Sequence, residues 1–133
     1  MPKILRNHYV LAVPSAQATA DYFINALGFS SVPVGDEGWR FVQRDNCLIM
    51  LGSCPDAIPP RDLGDHSYFA YLVVDDADGY YREVKERGAQ FLSNPSVAQP
   101  TDKPWGMREF GLRTPDGHRI MIGQSIAAVN TGA

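Results

Sequence analysis

The sequence lacks the features that mark several large classes of protein. Its two cysteines, Cys47 and Cys54, are too few for a disulfide framework, and their spacing is not that of a structural zinc site. With 12 Lys and Arg against 15 Asp and Glu, the net charge is −3. We therefore expect neither nucleic acid nor an anionic membrane as a partner. No apolar run approaches the roughly 20 residues that span a bilayer, and the N-terminal residues do not read as a secretory signal. The expected location is cytoplasmic.

Familiar catalytic motifs are also missing. The sequence has no glycine-rich phosphate loop and no G-x-S-x-G nucleophile motif. Its Ser, His and Asp residues have no spacing that indicates a catalytic triad. Asp75 and Asp76 stand where a strand ends and a helix begins, so helix capping explains them better than catalysis.

The composition is that of a folded globular protein. Of the 133 residues, 44 % are hydrophobic and 20 % are charged, which predicts a single domain over residues 1–133 with a real core. A stretch rich in proline and glycine, 54–65, divides this domain into a first module of about 4–53 and a second of about 66–124.

The same order of elements is predicted in both modules. In each, a strand is followed by a helix that ends at a glycine, Gly28 or Gly88, and then by three strands. The first module has predicted strands at 7–13, 29–34, 39–44 and 47–52, with a helix at 16–27. The second has predicted strands at 67–74, 90–92, 107–113 and 119–122, a helix at 77–87 and a proline-rich loop before the last hairpin. The tail, 125–133, is expected to fray.

Alternation along the strands assigns side chains to faces. Tyr9, Leu11 and Val13 are expected to face the first helix, while Val10 lies on the opposite face with His8. Laid over each other, the two modules align His8 with Phe69 and Met50 with Met121. If each sheet curves around a cleft, these four positions would face it.

This repeated βαβββ plan resembles the vicinal oxygen chelate superfamily, which includes glyoxalase I, bleomycin-resistance proteins and extradiol dioxygenases. The resemblance covers residues 6–124. Its most specific pieces are Asn7-His8-Tyr9-Val10-Leu11-Ala12-Val13, Leu27-Gly28-Phe29, Leu72-Val73-Val74-Asp75-Asp76-Ala77, Pro104-Trp105-Gly106-Met107-Arg108-Glu109-Phe110 and Thr114-Pro115-Asp116-Gly117-His118. It implies an α+β fold of two βαβββ modules whose curved mixed sheets form a cleft. It also implies a homodimer, which would cover exposed sheet edges.

The resemblance also indicates where a metal would bind in the enzymes of the superfamily. Those positions hold His, Gln or Glu in metal-dependent members and correspond here to His8, Met50, Phe69 and Met121. Only His8 can bind a hard divalent ion, so we expect no metal and no other cofactor. Two alternatives stay open: a divalent metal on His8, His66 and Glu109, and a soft ion such as Cu(I) on His8 and the two methionines.

An apolar ligand site is the remaining prediction. We expect these side chains to line it: Val10, Trp39, Met50, Phe69, Tyr71, Trp105 and Met121. Arg108 is the best nearby cation for an anionic ligand, although an ion pair with Glu109 or another acid would also explain it. His8 is the candidate catalytic residue, as a proton acceptor near neutral pH. His118, next to a turn, is expected at the surface.

These observations favour a protein that binds a small hydrophobic or aromatic molecule without a metal, similar to bleomycin-resistance proteins. The charge does not single out bleomycin itself. A metal-dependent lyase, isomerase or dioxygenase of the same superfamily is the alternative, and a metal-free enzyme with His8 as general base is a third. Whether a reaction is catalysed stays open at this stage.

Overall fold

A computed structural model describes residues 1–63 and 67–126. The chain divides into two compact units, Met1–Ile58 (unit 1) and Pro59–Ala133 (unit 2). The boundary falls inside the stretch predicted as a linker, and each unit contains one predicted module. Organisation as a single domain stays a prediction.

Unit 1 is a four-stranded mixed sheet with one helix. Its elements are β1 (Tyr9–Val13), α1 (Ala16–Leu27), β2 (Ser30–Val32), β3 (Trp39–Arg44) and β4 (Cys47–Ser53). The strand order is β1-β4-β3-β2, with β1 parallel to β4 and the other pairs antiparallel. The predicted hairpin of β3 and β4 is confirmed, and β4 continues one residue further than predicted.

Helix α1 begins and ends at the residues that the sequence indicates. The Ser15 hydroxyl accepts a hydrogen bond of 3.1 Å from the backbone N–H of Ala18, which is an N-cap. Gly28 ends the helix with φ of 78°, a left-handed conformation that a residue without Cβ adopts at no steric cost. Phe23 and Leu27 of this helix are buried, so packing against the sheet stabilises the helix.

Unit 2 repeats this plan with one additional strand. A single 3₁₀ turn, Pro60–Asp62, precedes its main elements. These are β5 (Tyr68–Val73), α2 (Ala77–Glu86), β6 (Gln90–Phe91), β7 (Thr101–Asp102), β8 (Met107–Arg113) and β9 (Arg119–Ser125). The order is β5-β9-β8-β6, with β5 parallel to β9 and β7 paired to β8. The sequence predicted a loop where β7 forms, because a two-residue strand has too few residues to show alternation.

Helix α2 covers one face of this sheet through an aromatic cluster. The Asp76 side chain caps the helix by accepting a hydrogen bond of 2.9 Å from the N–H of Gly79. The ring of Tyr81 lies 5.0 Å from that of Phe91 and 5.4 Å from that of Phe110. Phe110 is fully buried, so even-numbered residues of β8 face the helix. The odd-numbered residues of β8 lie on the opposite face, which we call the open face of unit 2.

The two sheets share one register, which supports the predicted repeat. Val10 on β1 pairs with Met50 on β4, and Tyr71 on β5 pairs with Met121 on β9. Leu11 and Val13 are buried toward the helix, as predicted, whereas Val10 is exposed on the opposite face of the sheet, which we call the open face of unit 1. The two sheets therefore present equivalent residues on their open faces.

Several predicted boundaries differ from the structure. The first strand was predicted from residue 7 but begins at Tyr9, and the second strand of the first module is shorter than 29–34. Cys47 is half-buried on β4, where burial raises the pKa of its thiol to about 11. The frayed tail predicted for 125–133 is partly wrong, because β9 continues to Ser125. Residues 127–133 lie outside the described part of the chain.

Candidate functional site

The open face of unit 1 is apolar and centred on a tryptophan. Trp39 begins β3 and is 36 % exposed, with its ring 6.3 Å from that of Phe41 in an edge-to-face arrangement. Phe41 pairs with Met50, which in turn pairs with Val10. The structure therefore places the predicted residues Val10, Trp39 and Met50 on one face of one sheet.

A glycine creates the space beside Trp39. Gly52 pairs with Trp39 across the hairpin, and a Cβ at Gly52 would come within 3.0 Å of the indole. Next to the indole lies a hollow of about 200 Å³, which we call the Trp39 hollow. Its walls are formed by Val10, Leu11, Ala12, Gly38, Trp39, Gly52, Ser53 and Cys54. Ligand pockets for drug-sized molecules are generally above about 300 Å³, so this hollow suits one ring or a short alkyl group.

The open face of unit 2 carries a buried carboxylate held by two aromatic side chains. Glu109 on β8 is 5 % exposed. Its Oε2 accepts a hydrogen bond of 2.6 Å from the hydroxyl of Tyr71 and one of 2.9 Å from the indole N–H of Trp105. Tyr71 is 38 % exposed and Trp105 is 63 % exposed, so both rings reach solvent above the carboxylate. We call these three residues the Glu109 site.

Strand β9 lies between Tyr71 on β5 and Glu109 on β8, and a glycine on β9 allows the two side chains to meet. Gly123 on β9 pairs with Glu109 on one side and Val73 on the other. A Cβ at Gly123 would collide with the Tyr71 hydroxyl. The absence of that atom lets the phenol cross β9 from β5 to β8.

The site changes the acidity of the phenol. Burial raises the pKa of Tyr71 first, and the hydrogen bond to Glu109 and its negative charge raise that pKa further. The phenol therefore keeps its proton well above the pH at which an ordinary tyrosine ionises. Tyr71 acts here as a hydrogen-bond donor to a carboxylate.

Arg108 does not lie on the open face of unit 2, where it was predicted to contact an anionic ligand. It is an even-numbered residue of β8, and its guanidinium reaches Asp78 on helix α2 at 3.0 Å and Asp102 on β7 at 2.7 Å. The hydrogen bond from Arg108 lowers the pKa of Asp102. The structure thus supports the ion-pair interpretation, with Asp78 and Asp102 as partners. Glu109, its neighbour in sequence, occupies the opposite face.

Two further residues differ from simple expectation. His118 is buried at 8 % exposure, so its predicted surface position is wrong. Its backbone N–H donates to the Thr114 hydroxyl at 3.0 Å, which turns the residue inward from the turn. Phe69 lies at a register irregularity of β5, and its ring is 5.9 Å from the His118 ring. Met121 lies opposite Tyr71, as the alternation predicts.

The four positions at which the resemblance implies a metal do not offer the donors that a divalent ion needs. His8 is exposed one residue before β1, Met50 and Met121 offer thioethers, and Phe69 offers no donor. Within 1–63 and 67–126, no three His, Cys, Asp or Glu side chains are grouped as metal ligands. His66, from the alternative set with His8 and Glu109, lies outside the described residues.

The fold and this arrangement agree with the comparison to known families. The family described as Glyoxalase/Bleomycin resistance protein/Dioxygenase superfamily matches residues 6–122. The chain belongs to this superfamily. No curated protein sequence matches it significantly.

Solved structures with the same fold include bleomycin-binding proteins. A bleomycin resistance determinant encoded on transposon Tn5 is 26 % identical, with a TM-score of 0.73 over 90 % of this chain and 97 % of that one. A bleomycin-binding protein complexed with bleomycin is also 26 % identical, with a TM-score of 0.73 over 90 % and 98 %. A glyoxalase-related enzyme from Clostridium phytofermentans is 20 % identical, with a TM-score of 0.71 over 94 % and 98 %. This last likeness concerns the fold alone.

The sequence did not identify Glu109 as a member of an aromatic site. It appeared only as an alternative metal ligand or as a partner of Arg108. Alternation along β8 separates Arg108 from Glu109 and places Glu109 on the same face as Tyr71, so the sequence did contain a signal for this site.

In the described residues, neither helix is long and apolar enough to cross a bilayer.

Proposed function

We propose that this protein binds a small hydrophobic or aromatic molecule, without a metal, and that the Trp39 hollow receives a ring of that molecule. The observation that carries the proposal is the apolar hollow beside a partly exposed indole. Aromatic side chains give a planar ligand a large contact area, and ligand sites are mostly apolar. The likeness to a bleomycin-binding protein in complex with its ligand supports the same class of function.

The donor set supports binding without a metal. A divalent ion at a catalytic site generally needs three protein ligands with oxygen or nitrogen donors, and the inherited positions offer one imidazole. We therefore propose sequestration of the ligand. A role for His8 as a proton acceptor stays a prediction, as does the homodimer, which analytical ultracentrifugation would test.

The experiment uses the tryptophan as a reporter. The chain has two tryptophans, so the Trp105→Phe protein emits from Trp39 alone. We would titrate it with bleomycin and with the neutral aromatic compound phenylbutanol. We expect saturable quenching of Trp39 by at least one of them. In wild-type protein, calorimetry should show affinity reduced about fivefold or more by Trp39→Ala, because a buried aromatic contact is worth more than about 1 kcal/mol.

A matched control separates the hollow from general surface hydrophobicity. Ile58→Ala truncates another exposed apolar residue of unit 1 that does not line the hollow. It should leave the affinity unchanged. Equal losses in Trp39→Ala and Ile58→Ala, or no saturable binding of either compound to wild-type protein, would overturn the proposal.

A further inference from the structure

We infer that the Glu109 site binds an organic cation, such as the ammonium or guanidinium group of a molecule that also carries an apolar part. This inference rests on the proposed function, the binding of an aromatic molecule, and adds that unit 2 favours such a molecule with a positive charge. A buried carboxylate beneath two partly exposed aromatic rings recognises a cation through its charge and through the faces of the rings.

Glu109 has no cationic partner among the described residues. It is almost fully buried, and within that part of the chain its carboxylate accepts hydrogen bonds from two neutral groups, a phenol and an indole. Within the described ranges 1–63 and 67–126, no Lys, Arg or His forms an ion pair with it. Burying an unpaired charge is costly, and a ligand cation at the open face would offset that cost.

The two rings are arranged around the same carboxylate oxygen. Both hydrogen bonds end on Oε2, so Tyr71 and Trp105 converge on one oxygen atom. Their donor groups point down to the carboxylate, while much of each ring stays in solvent. A cation that lies against these rings is therefore within the field of the Glu109 charge. An aromatic ring and a carboxylate attract the same ligand charge, so the two effects add.

The arginines of β8 and β9 lie away from the Glu109 site. Arg108 is held on the helix side by Asp78 and Asp102. Arg113 on β8 is in register with Arg119 on β9, at the end of the two strands away from Trp105. Arg113 is four residues from Glu109, about 13 Å along the strand. Glu109 is therefore the charged residue of β8 that lies at the rings of Tyr71 and Trp105.

The test is a series of three probes with the same apolar part. Phenylbutylamine is cationic, phenylbutanol is neutral and phenylbutyrate is anionic at neutral pH. We would measure their affinities for wild-type protein by calorimetry. We expect the amine to bind about tenfold tighter than the alcohol, in the range of one cation–π contact, and the carboxylate to bind most weakly.

The decisive variant removes the charge and keeps the shape. Glu109→Gln retains a side-chain oxygen that can accept from Tyr71 and Trp105. It should lower the affinity for phenylbutylamine about threefold or more, toward that for phenylbutanol, because only the attraction of the rings for the cation remains. It should leave the phenylbutanol affinity unchanged. Glu86→Gln removes the same charge from an exposed residue of α2 and should preserve the preference for the amine.

The fluorescence of Trp105 reports whether the amine binds at the Glu109 site. In the Trp39→Phe protein, Trp105 is the only emitter, and phenylbutylamine should quench it more strongly than phenylbutanol does. Equal affinity of wild-type protein for the amine and the alcohol would overturn the inference even if Glu109→Gln failed to fold. That result leaves the proposed function standing, whereas no binding of any aromatic probe, bleomycin included, removes both.

Discussion

The hydroxyl of Tyr71 on β5 donates a hydrogen bond of 2.6 Å to Oε2 of Glu109 on β8, across the strand that lies between them. The bond exists because the middle strand carries Gly123 at the crossing point. One glycine thus determines whether a buried carboxylate has its phenol partner. The relationship links the sheet register to the proposed ligand chemistry.

Replacement of Gly123 by alanine should break this contact. The added Cβ would collide with the Tyr71 hydroxyl and leave Glu109 with one donor, Trp105. Loss of a hydrogen bond to a buried charged group should lower the free energy of unfolding by about 1–3 kcal/mol. Urea denaturation of wild-type and Gly123→Ala proteins measures this difference.

The double variant provides the control. In a Tyr71→Ala background the phenol is absent, so adding Gly123→Ala should cost less than about 0.5 kcal/mol. An equal loss in both backgrounds would show that Gly123 is needed for a reason other than passage of the phenol.

Tyr71 should ionise at higher pH than an ordinary tyrosine. Burial, the hydrogen bond to Glu109 and the Glu109 charge all raise its pKa. The protonated phenol therefore stabilises the folded state fully below the ordinary tyrosine pKa of about 10, and this stabilisation is lost as pH rises further. Ultraviolet difference titration of wild-type and Tyr71→Phe proteins should give the same number of ionising tyrosines up to about pH 10.5.

The Glu109→Gln protein gives the complementary result. Without the carboxylate, the Tyr71 pKa should fall but stay above its usual value, because burial is the largest cause of its rise and remains. The ionisation of Tyr71 should therefore occur at lower pH than in wild-type protein. If wild-type protein already ionises one more tyrosine than Tyr71→Phe does near pH 10, the hydrogen bond does not hold the proton as described.

Much of the fold follows from local patterns in the sequence. Ser15 and Gly28 bound the first helix, and the hairpin 39–52 follows from alternation and its polar turn. The equivalent pairs Val10 with Met50 and Tyr71 with Met121 follow from laying one module over the other. These features depend on neighbours in sequence or on the repeat, so one sequence suffices to predict them.

The site was harder to predict because it depends on contacts between strands. Trp105 lies in a turn, where alternation assigns no face, and its indole bonds to Glu109. The ion pairs of Arg108 required β7, a strand too short to recognise. The turn residues before His118 predict a surface position, but its backbone N–H donates a hydrogen bond to the Thr114 hydroxyl and the residue is buried. In each case, a partner distant in space or an unrecognised element decided the position.

The His118 imidazole should make stability depend on acid pH. Burial lowers its pKa, and the nearby Asp116 charge opposes this only in part. The folded state therefore favours the neutral ring, while the unfolded chain takes up a proton near pH 6.5. The free energy of unfolding should fall as pH decreases from about 6.5 through the lower pKa of the folded state.

Urea denaturation at several pH values between 7 and 5 measures this effect. His118→Gln should be less stable at pH 7 because it disturbs a buried position, but its stability should decline less steeply toward acid. Equal slopes in the two proteins would mean that other groups cause the acid sensitivity.

The central claim is binding of an aromatic molecule without a metal, and chelation tests it most directly. We would strip the protein with EDTA, confirm the metal content by mass spectrometry, and measure by calorimetry its affinity for phenylbutanol, which does not chelate the added metals. The same affinity should be found before and after stripping and after addition of Zn, Ni, Fe or Mn, with a marked loss in Trp39→Ala. Retention of about one equivalent of such a metal per chain, with binding only in the loaded protein, would contradict the account and favour a metal-dependent enzyme.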